Sequence, residues 1–411
     1  MELCDLDITV SPEDPSKILI RGEVEYDCGD LKPEVYWYEL PRVFESGIAT
    51  NGNPWLVVLL PLAMKLGEPL RLRQPVDRTL HKNMGKLMSL WSAWYEDIKR
   101  VPLEMDIEDL VPATAPGRNA LFFSGGVDSF FSLLKHEEEK ETVEESSIDD
   151  LLCVHGFDIA LKNRSSFSLH QRRMQDVADS TNKQYVGITT NLRTTMLEKA
   201  GWGRLSFGSA FASIALLLGE RYRKVFFAST GQSDHLLAPW GSHPLADYLF
   251  STASTEFVHD GFRYSRVEKT KEIAANSMAR KYLHVCYVKG NDKNCGKCIK
   301  CYRTMITLDV LGCLEEFKVF RNGEYNVSKI RRIYAGTFTD RDFFLQIRFL
   351  ALQEARNDII EALNSCFAFT RHRRMWLPIT RRLGRRLGRW LGRQRFLWRY
   401  HQVPEKLIKK F

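Results

Sequence analysis

The stretch NALFFSGGVDSFFSLLK, residues 119–135, constrains the fold of this 411-residue chain more than any other. A short apolar run enters a Gly-Gly turn and leaves as a segment whose apolar residues recur at helical intervals. That is the pattern of a strand feeding a helix. Further apolar runs without polar alternation follow: LLCVHGF, YVGITT and KVFFAS. Helical stretches lie between them, at roughly 128–140, 168–182 and 208–222. Strands of this texture suit a parallel sheet covered on both faces. The expected architecture is therefore an α/β, doubly wound parallel sheet, with ligands at the carboxyl ends of its strands.

The glycine turn itself has the chemistry of an anion cradle. Backbone amides of the loop and of the helix start converge there, and the helix dipole favours negative charge. Gly125 and Gly126 permit close backbone approach, and Ser124 and Ser129 add hydroxyl donors. Asp128 can cap the helix or help place Mg²⁺. No Lys-Ser/Thr pair follows the second glycine, and GxGxxG spacing is absent, so neither common phosphate loop is present.

The second strong signal is HVCYVKGNDKNCGKCIKCYRTM. Cys286, Cys295, Cys298 and Cys301 have the spacing C-x8-C-x2-C-x2-C, which can close a tetrahedral four-thiolate site. Zn²⁺ in a structural role is the expectation; an iron–sulfur cluster can use the same ligands. Lys293, Lys297 and Lys300 would offset the thiolate charge. The other five cysteines, of nine in all, show no such grouping.

SGGVDS resembles the pyrophosphate loop of the ATP pyrophosphatases, the PP-loop or adenine nucleotide α-hydrolase superfamily. With the four-cysteine pattern some 160 residues later, residues 118–312 resemble the 7-cyano-7-deazaguanine synthases of queuosine biosynthesis. The resemblance implies a ligase that binds ATP and Mg²⁺ and cleaves ATP between its α and β phosphates. A substrate carboxylate is activated as an acyl adenylate, pyrophosphate leaves, and ammonia or an amine displaces AMP to form an amide or nitrile. Ser124, Gly125, Gly126, Val127, Asp128 and Ser129 would hold the pyrophosphate and Mg²⁺, and the four cysteines the zinc. VFFASTGQSDHLLAPWG places Asp234 as a candidate active-site acid. SRVEKTKEIA does the same for Lys269 and Arg266, with Glu268 between them, and GWGRLSFGSAFASIA for Arg204. Leu205 stands where the family has Asn, and WGSHPLAD has no counterpart in its pattern. Within the superfamily, a sugar amidotransferase and an RNA-thiolating enzyme are alternatives. From another class, a nucleotide-binding component of a bacterial defence or other multiprotein assembly is a third. His155, His235, His243 and His259 are either acid/base groups or packing residues, and Trp202 and Trp240 either stack on a base or pack.

The remaining chain divides by texture. Residues 1–115 alternate like strands in KILIRGEVEY, EVYWYEL and PLRLRQPV, and Leu80, Met84, Leu87, Trp91 and Tyr95 have helical spacing. They form an expected α+β accessory domain with no catalytic cluster. Residues 116–314 form the nucleotide domain and 315–370 a helical extension. Residues 371–411 carry 14 lysines and arginines against one glutamate, so the formal net charge of +8 is concentrated there. The repeat RRLG-RRLG-RWLG puts Leu383, Leu387 and Leu391 in one stripe beside three glycines, each costing about 1 kcal/mol in a helix. Such a tail suits an anionic membrane, a nucleic acid or another subunit, or is an extension without a dedicated partner. A homo-oligomer is compatible with that. PWLVVLLPLAM is about half a membrane span, and the first residues lack a signal-peptide pattern, which sets a cytoplasmic expectation.

Overall fold

The computed structural model describes residues 1–110, 117–139, 147–219, 221–231, 239–286, 294–320 and 325–390, with side chains described as far as Arg374. The chain forms two compact units, Met1–Tyr264 and Ser265–Phe411.

The first unit opens with an antiparallel meander, β1 (Glu2–Val10), β2 (Lys17–Glu25) and β3 (Glu34–Pro41). Helix α1 (Asn53–Leu66) follows, then β4 (Leu70–Leu72), β5 (Val76–Asp77), α2 (Arg78–Trp94), β6 (Leu103–Glu104) and β7 (Ile107–Glu108). The alternating half comprises β8 (Arg118–Phe122), α3 (Val127–Glu139), β9 (Asp150–His155), α4 (Arg164–Ser180), β10 (Gln184–Thr190), α5 (Phe207–Leu217), β11 (Tyr222–Ala228) and β12 (Glu256–Asp260). One ten-stranded sheet takes in all but β5 and β7, in the order β12-β11-β8-β9-β10-β3-β2-β1-β4-β6. Its five strands from β12 to β10 are mutually parallel.

Residues on both sides of position 115 thus share one sheet. The seam is the antiparallel pairing of β10 with β3, at Thr189↔Glu39 and Thr190↔Tyr38. Asn191 prolongs it by side chain: its Oδ1 accepts from the Trp37 amide at 2.9 Å and its Nδ2 donates to the Val35 carbonyl at 2.8 Å.

Pleat alternation explains how the parallel strands are covered twice. Ala120, Phe122, Leu152, Val186, Ile188, Val225 and Phe227 join one buried cluster with α1 and α5. The intervening residues serve the other face, where Phe123 meets Phe130 of α3 at 5.0 Å and Phe226 meets His136 at 4.3 Å. The run PWLVVLLPLAM is a core helix, α1, with twelve of its fourteen residues buried. Its Trp55 lies edge-on to Tyr38 at 5.7 Å, and a Cβ on Gly22 of β2 would fall 2.5 Å from that indole. At the amino ends, the fully buried Asp150 carboxylate accepts from Arg118, from Arg221 Nε at 2.6 Å and from the Tyr222 hydroxyl at 2.9 Å. It ties β8, β9 and β11 together.

The expected helix at 208–222 stops at Leu217, because the chain must turn before Tyr222 to begin β11. β1 and β12 carry patterns too weak to predict strands from sequence.

The second unit is helical: α6 (Arg266–Ala274), α7 (Ser277–Tyr282), α8 (Ile299–Val310), α9 (Val327–Ile330), α10 (Phe338–Gln353) and α11 (Asn357–Trp390). A reciprocal capping box of Ser265 and Glu268 starts α6. Ala355, at φ 52°, breaks the helical run and turns α11 back along α10. Among the described residues no helix is long and apolar enough to cross a membrane.

Candidate functional site

The chain runs outward from β8 to β9 and β10, then returns to β11 and β12 on the other side of β8. The point where the winding reverses lies between the carboxyl ends of β8 and β11. In open α/β sheets that crevice is the usual ligand site, because the loops diverge there and leave space.

SGGVDS occupies the β8 end. Gly125 has φ +70°, the left-handed region, which swings the backbone from strand into helix within two residues. The Gly126 amide donates to Ser124 Oγ at 3.4 Å, and Ser129 Oγ donates to the Gly126 carbonyl at 3.2 Å. Ser124 Oγ and Ser129 Oγ lie 3.4 Å apart, with Ser124 exposed and Ser129 buried. The first helical bond, from the Phe130 amide to the Gly126 carbonyl, is 3.0 Å. First-turn amides have no intrahelical acceptor, so this end of α3 presents donors towards the crevice. The six residues singled out here therefore form one compact turn with Val127 and Asp128 in its first helical positions.

Ser229, Thr230 and Gly231 close the opposite side at the end of β11. The Ser229 amide donates to the Asp260 carbonyl at 2.8 Å and its hydroxyl to the Gly231 carbonyl at 2.8 Å. Asp234 and His235, three residues on, lie outside the described residues. Arg266 and Lys269 belong to the second unit, in the first turns of α6, and both are buried. The guanidiniums of Arg266 and Arg303 lie over the Phe343 ring, 5.9 and 4.3 Å from its centroid. Thr270, Thr304 and Thr307 line the same small cleft.

Arg204 is committed elsewhere: it pairs with Asp97 at 2.7 Å and covers the Tyr95 ring at 4.2 Å. Trp202 packs edge-on against Phe157 at 4.7 Å, whereas Trp240 is exposed beside Gly203. His155 stacks on Phe167 at 4.2 Å, and burial lowers its pKa.

WGSHPLAD, which fits no family pattern, builds a polar network that spacing alone did not reveal. The Asp247 carboxylate is fully buried and accepts from Ser242 Oγ at 2.7 Å, from the His243 amide at 3.0 Å and from His259 Nδ1 at 2.7 Å. A carboxylate only accepts, so the proton of His259 sits on Nδ1 and Nε2 is left as the basic nitrogen. His259 lies one residue before the carboxyl end of β12, level with Phe227 of β11. The signal that could have found the pair is an acid and a histidine flanking a strand start, and that is common in any sequence.

The four cysteines form a metal-competent cluster. Cys286, Cys295, Cys298 and Cys301 bring their sulfurs within 4.8 Å of one another. Individual separations are 3.8 Å for Cys295–Cys301, 4.0 Å for Cys286–Cys298 and 3.4 Å for Cys298–Cys301. A tetrahedron of sulfurs about 2.3 Å from zinc has edges of about 3.8 Å, so the donor set fits. Gly296, at φ +68°, lets the chain turn between the ligands. The amides of Lys297 and Cys298 both donate to Cys295 Sγ at 3.3 Å, and the Cys301 amide to Cys298 Sγ at 3.5 Å. Amide donors aimed at sulfur stabilise thiolate, the ligating form. The hydrogen bond from Cys298 pushes the Cys286 thiol up to about 12, and hydrogen bonds with Cys286 and Cys298 raise Cys301 as well. The arrangement can hold a metal ion such as zinc.

No family model matches the chain, and no curated protein or solved structure matches it.

Proposed function

We propose that the protein is an ATP pyrophosphatase-type ligase that activates a carboxylate and joins it to ammonia or an amine, as the 7-cyano-7-deazaguanine synthases do. One observation carries this reading: the SGGVDS turn stands at the winding reversal of a doubly wound sheet, with its left-handed Gly125 and paired serines at a helix start.

In the proposed reaction a carboxylate oxygen attacks the α-phosphorus of ATP, and the α–β bridging bond breaks. Loop amides with Ser124 and Ser129 take the leaving pyrophosphate, and Asp128 would hold Mg²⁺, which offsets the phosphate charge. Holding both reactants in the crevice makes the attack effectively intramolecular. Ammonia then attacks the acyl carbon, AMP leaves with the bonding electrons, and the released proton passes to a base. His259 Nε2, oriented through Asp247, is the candidate base. Zinc at Cys286, Cys295, Cys298 and Cys301 would be structural, cross-linking the segment before α8 to its first turn.

Phosphorus NMR of the protein with Mg-ATP, ammonium and carboxy-deazaguanine tests the reading, with Asp128→Ala as control. AMP and pyrophosphate, formed only with the acid and lost in the variant, are expected. ADP and phosphate would contradict the role given to the loop. Bound ATP without turnover would favour a nucleotide-binding component of a larger assembly.

A further inference from the structure

Helix α10 has one face too many. Phe343, Phe344, Ile347, Leu350 and Ala351 are buried and form its packed side. Phe338, Leu345, Phe349 and Leu352 recur at intervals of seven, four and three, which places them on the opposite side. Their exposures are 68, 44, 63 and 49%. The ridge of Leu345, Phe349 and Leu352 on that side is unusual for a helix packed on one side only, because it leaves large apolar area hydrated.

The tail begins at one end of that ridge. After the Ala355 turn, α11 runs back along α10 with Ile359, Ala362, Leu363 and Cys366 buried. Thr370 accepts from the Ala335 amide at 3.0 Å, Arg373 covers Tyr334 at 5.2 Å, and Arg374 donates to the Gly336 carbonyl. Residues 370–374 of α11 therefore lie level with Tyr334–Gly336, just before the start of α10. The helix continues to Trp390, about 24 Å beyond Arg374 at 1.5 Å per residue.

In that last stretch the sequence spaces Trp376, Ile379, Leu383, Leu387 and Trp390 at threes and fours, the interval of a single helix flank. Arg381, Arg382, Arg385, Arg386 and Arg389 fall between them, and no acidic residue occurs between Glu361 and Glu405. Nucleic-acid binding would use the arginines and leave the apolar flank unexplained. An interfacial helix uses both: leucines enter the acyl boundary, tryptophans sit at headgroup level, and guanidiniums pair with lipid phosphates. Gly384 and Gly388 make the helix weak alone, so a surface that buries its apolar flank also stabilises it.

We propose that the α10 ridge and the basic tail together dock the second unit on an anionic membrane surface, lying on the bilayer without crossing it. Charge complementarity selects anionic lipid, and two signals on one unit give the firm attachment that one alone does not.

The test is sedimentation of the full chain with vesicles of phosphatidylcholine plus phosphatidylglycerol, against vesicles of phosphatidylcholine alone. Binding to the anionic vesicles only is expected, weakening with salt. Leu383→Ser and Leu387→Ser combined keep every arginine, and should weaken vesicle binding at least about tenfold. Leu345→Ser with Phe349→Ser, at exposed positions outside the tail, should weaken it independently. Vesicle affinity unchanged in both variants would overturn the proposal. So would tight binding of single-stranded RNA with no vesicle binding. A dimer in light scattering that the α10 variant dissociates, with vesicle binding intact, would assign the ridge to a second copy and overturn its role here.

Discussion

Replacing Gly125 by alanine tests whether the SGGVDS turn depends on its left-handed residue. Two costs can be worked out. An L residue at φ +70° costs roughly 1–2 kcal/mol over glycine. The new Cβ would also stand 2.8 Å from Met174 Cε and 2.9 Å from its Sδ. Those atoms end a flexible side chain, so relief through an off-rotamer shift costs about 0.5–1.5 kcal/mol. Together, about 1.5–3.5 kcal/mol should lower the thermal midpoint of the first unit by roughly 3–14 °C, read by scanning calorimetry. Gly126, outside the left-handed region, should tolerate alanine at less than half that cost. A cycle with Met174→Ala separates the two terms. The dihedral cost should persist when Met174 is truncated. If the truncation cancels the whole effect, crowding explains the glycine and the conformational argument fails.

Four further outcomes are expected. Elemental analysis should find one zinc per chain, and Cys298→Ser should lose it and destabilise the second unit, since its sulfur both joins the cluster and caps α8. Asp150→Ala should cost about 3 kcal/mol in urea unfolding, because it strands Arg221 and the Tyr222 hydroxyl at the amino edge of the sheet. Burial lowers the His155 pKa below its unfolded value near 6.5, so the unfolded chain takes up more protons in that window. Stability should fall as pH drops below about 6.5, and His155→Gln should flatten the fall. His259→Asn keeps a donor for Asp247 but removes Nε2. Its thermal midpoint should hold while amide formation slows about a hundredfold or more, and loss of stability instead would make the pair a purely structural tie.

Much of the fold was legible because local rules sufficed. NALFF, LLCVHGF, YVGITT and KVFFAS became β8 to β11, and the Leu80–Trp91 spacing became α2, because period and glycine placement are written residue by residue. Other elements left weak traces. Glu2–Val10 alternates charged and apolar residues of which only Leu3 is fully buried, and its place in the sheet is set by pairing with β2. Leu218–Arg221 continues a helical pattern that the turn into β11 interrupts. The four cysteines were legible because ligands to one metal must be close and two of their gaps are short. The Asp247–His259 pair was not, since two ordinary side chains twelve positions apart, one before β12 and one within it, meet at 2.7 Å only in the fold.

By itself the sequence determined the chemistry available at each place. It put a glycine turn between a strand and a helix, four thiols in sixteen residues, and the positive charge in the last forty-one. Those are properties of neighbours along the chain, where covalent distance limits the options. Tertiary structure decided which of these neighbours share a surface. It set the winding reversal beside SGGVDS, because strand order depends on which faces helices can cover. It joined the N-terminal meander to β10 through Asn191, because an open sheet edge and an unpaired strand satisfy one another. It left the α10 ridge facing solvent, because α10 buries only one of its sides.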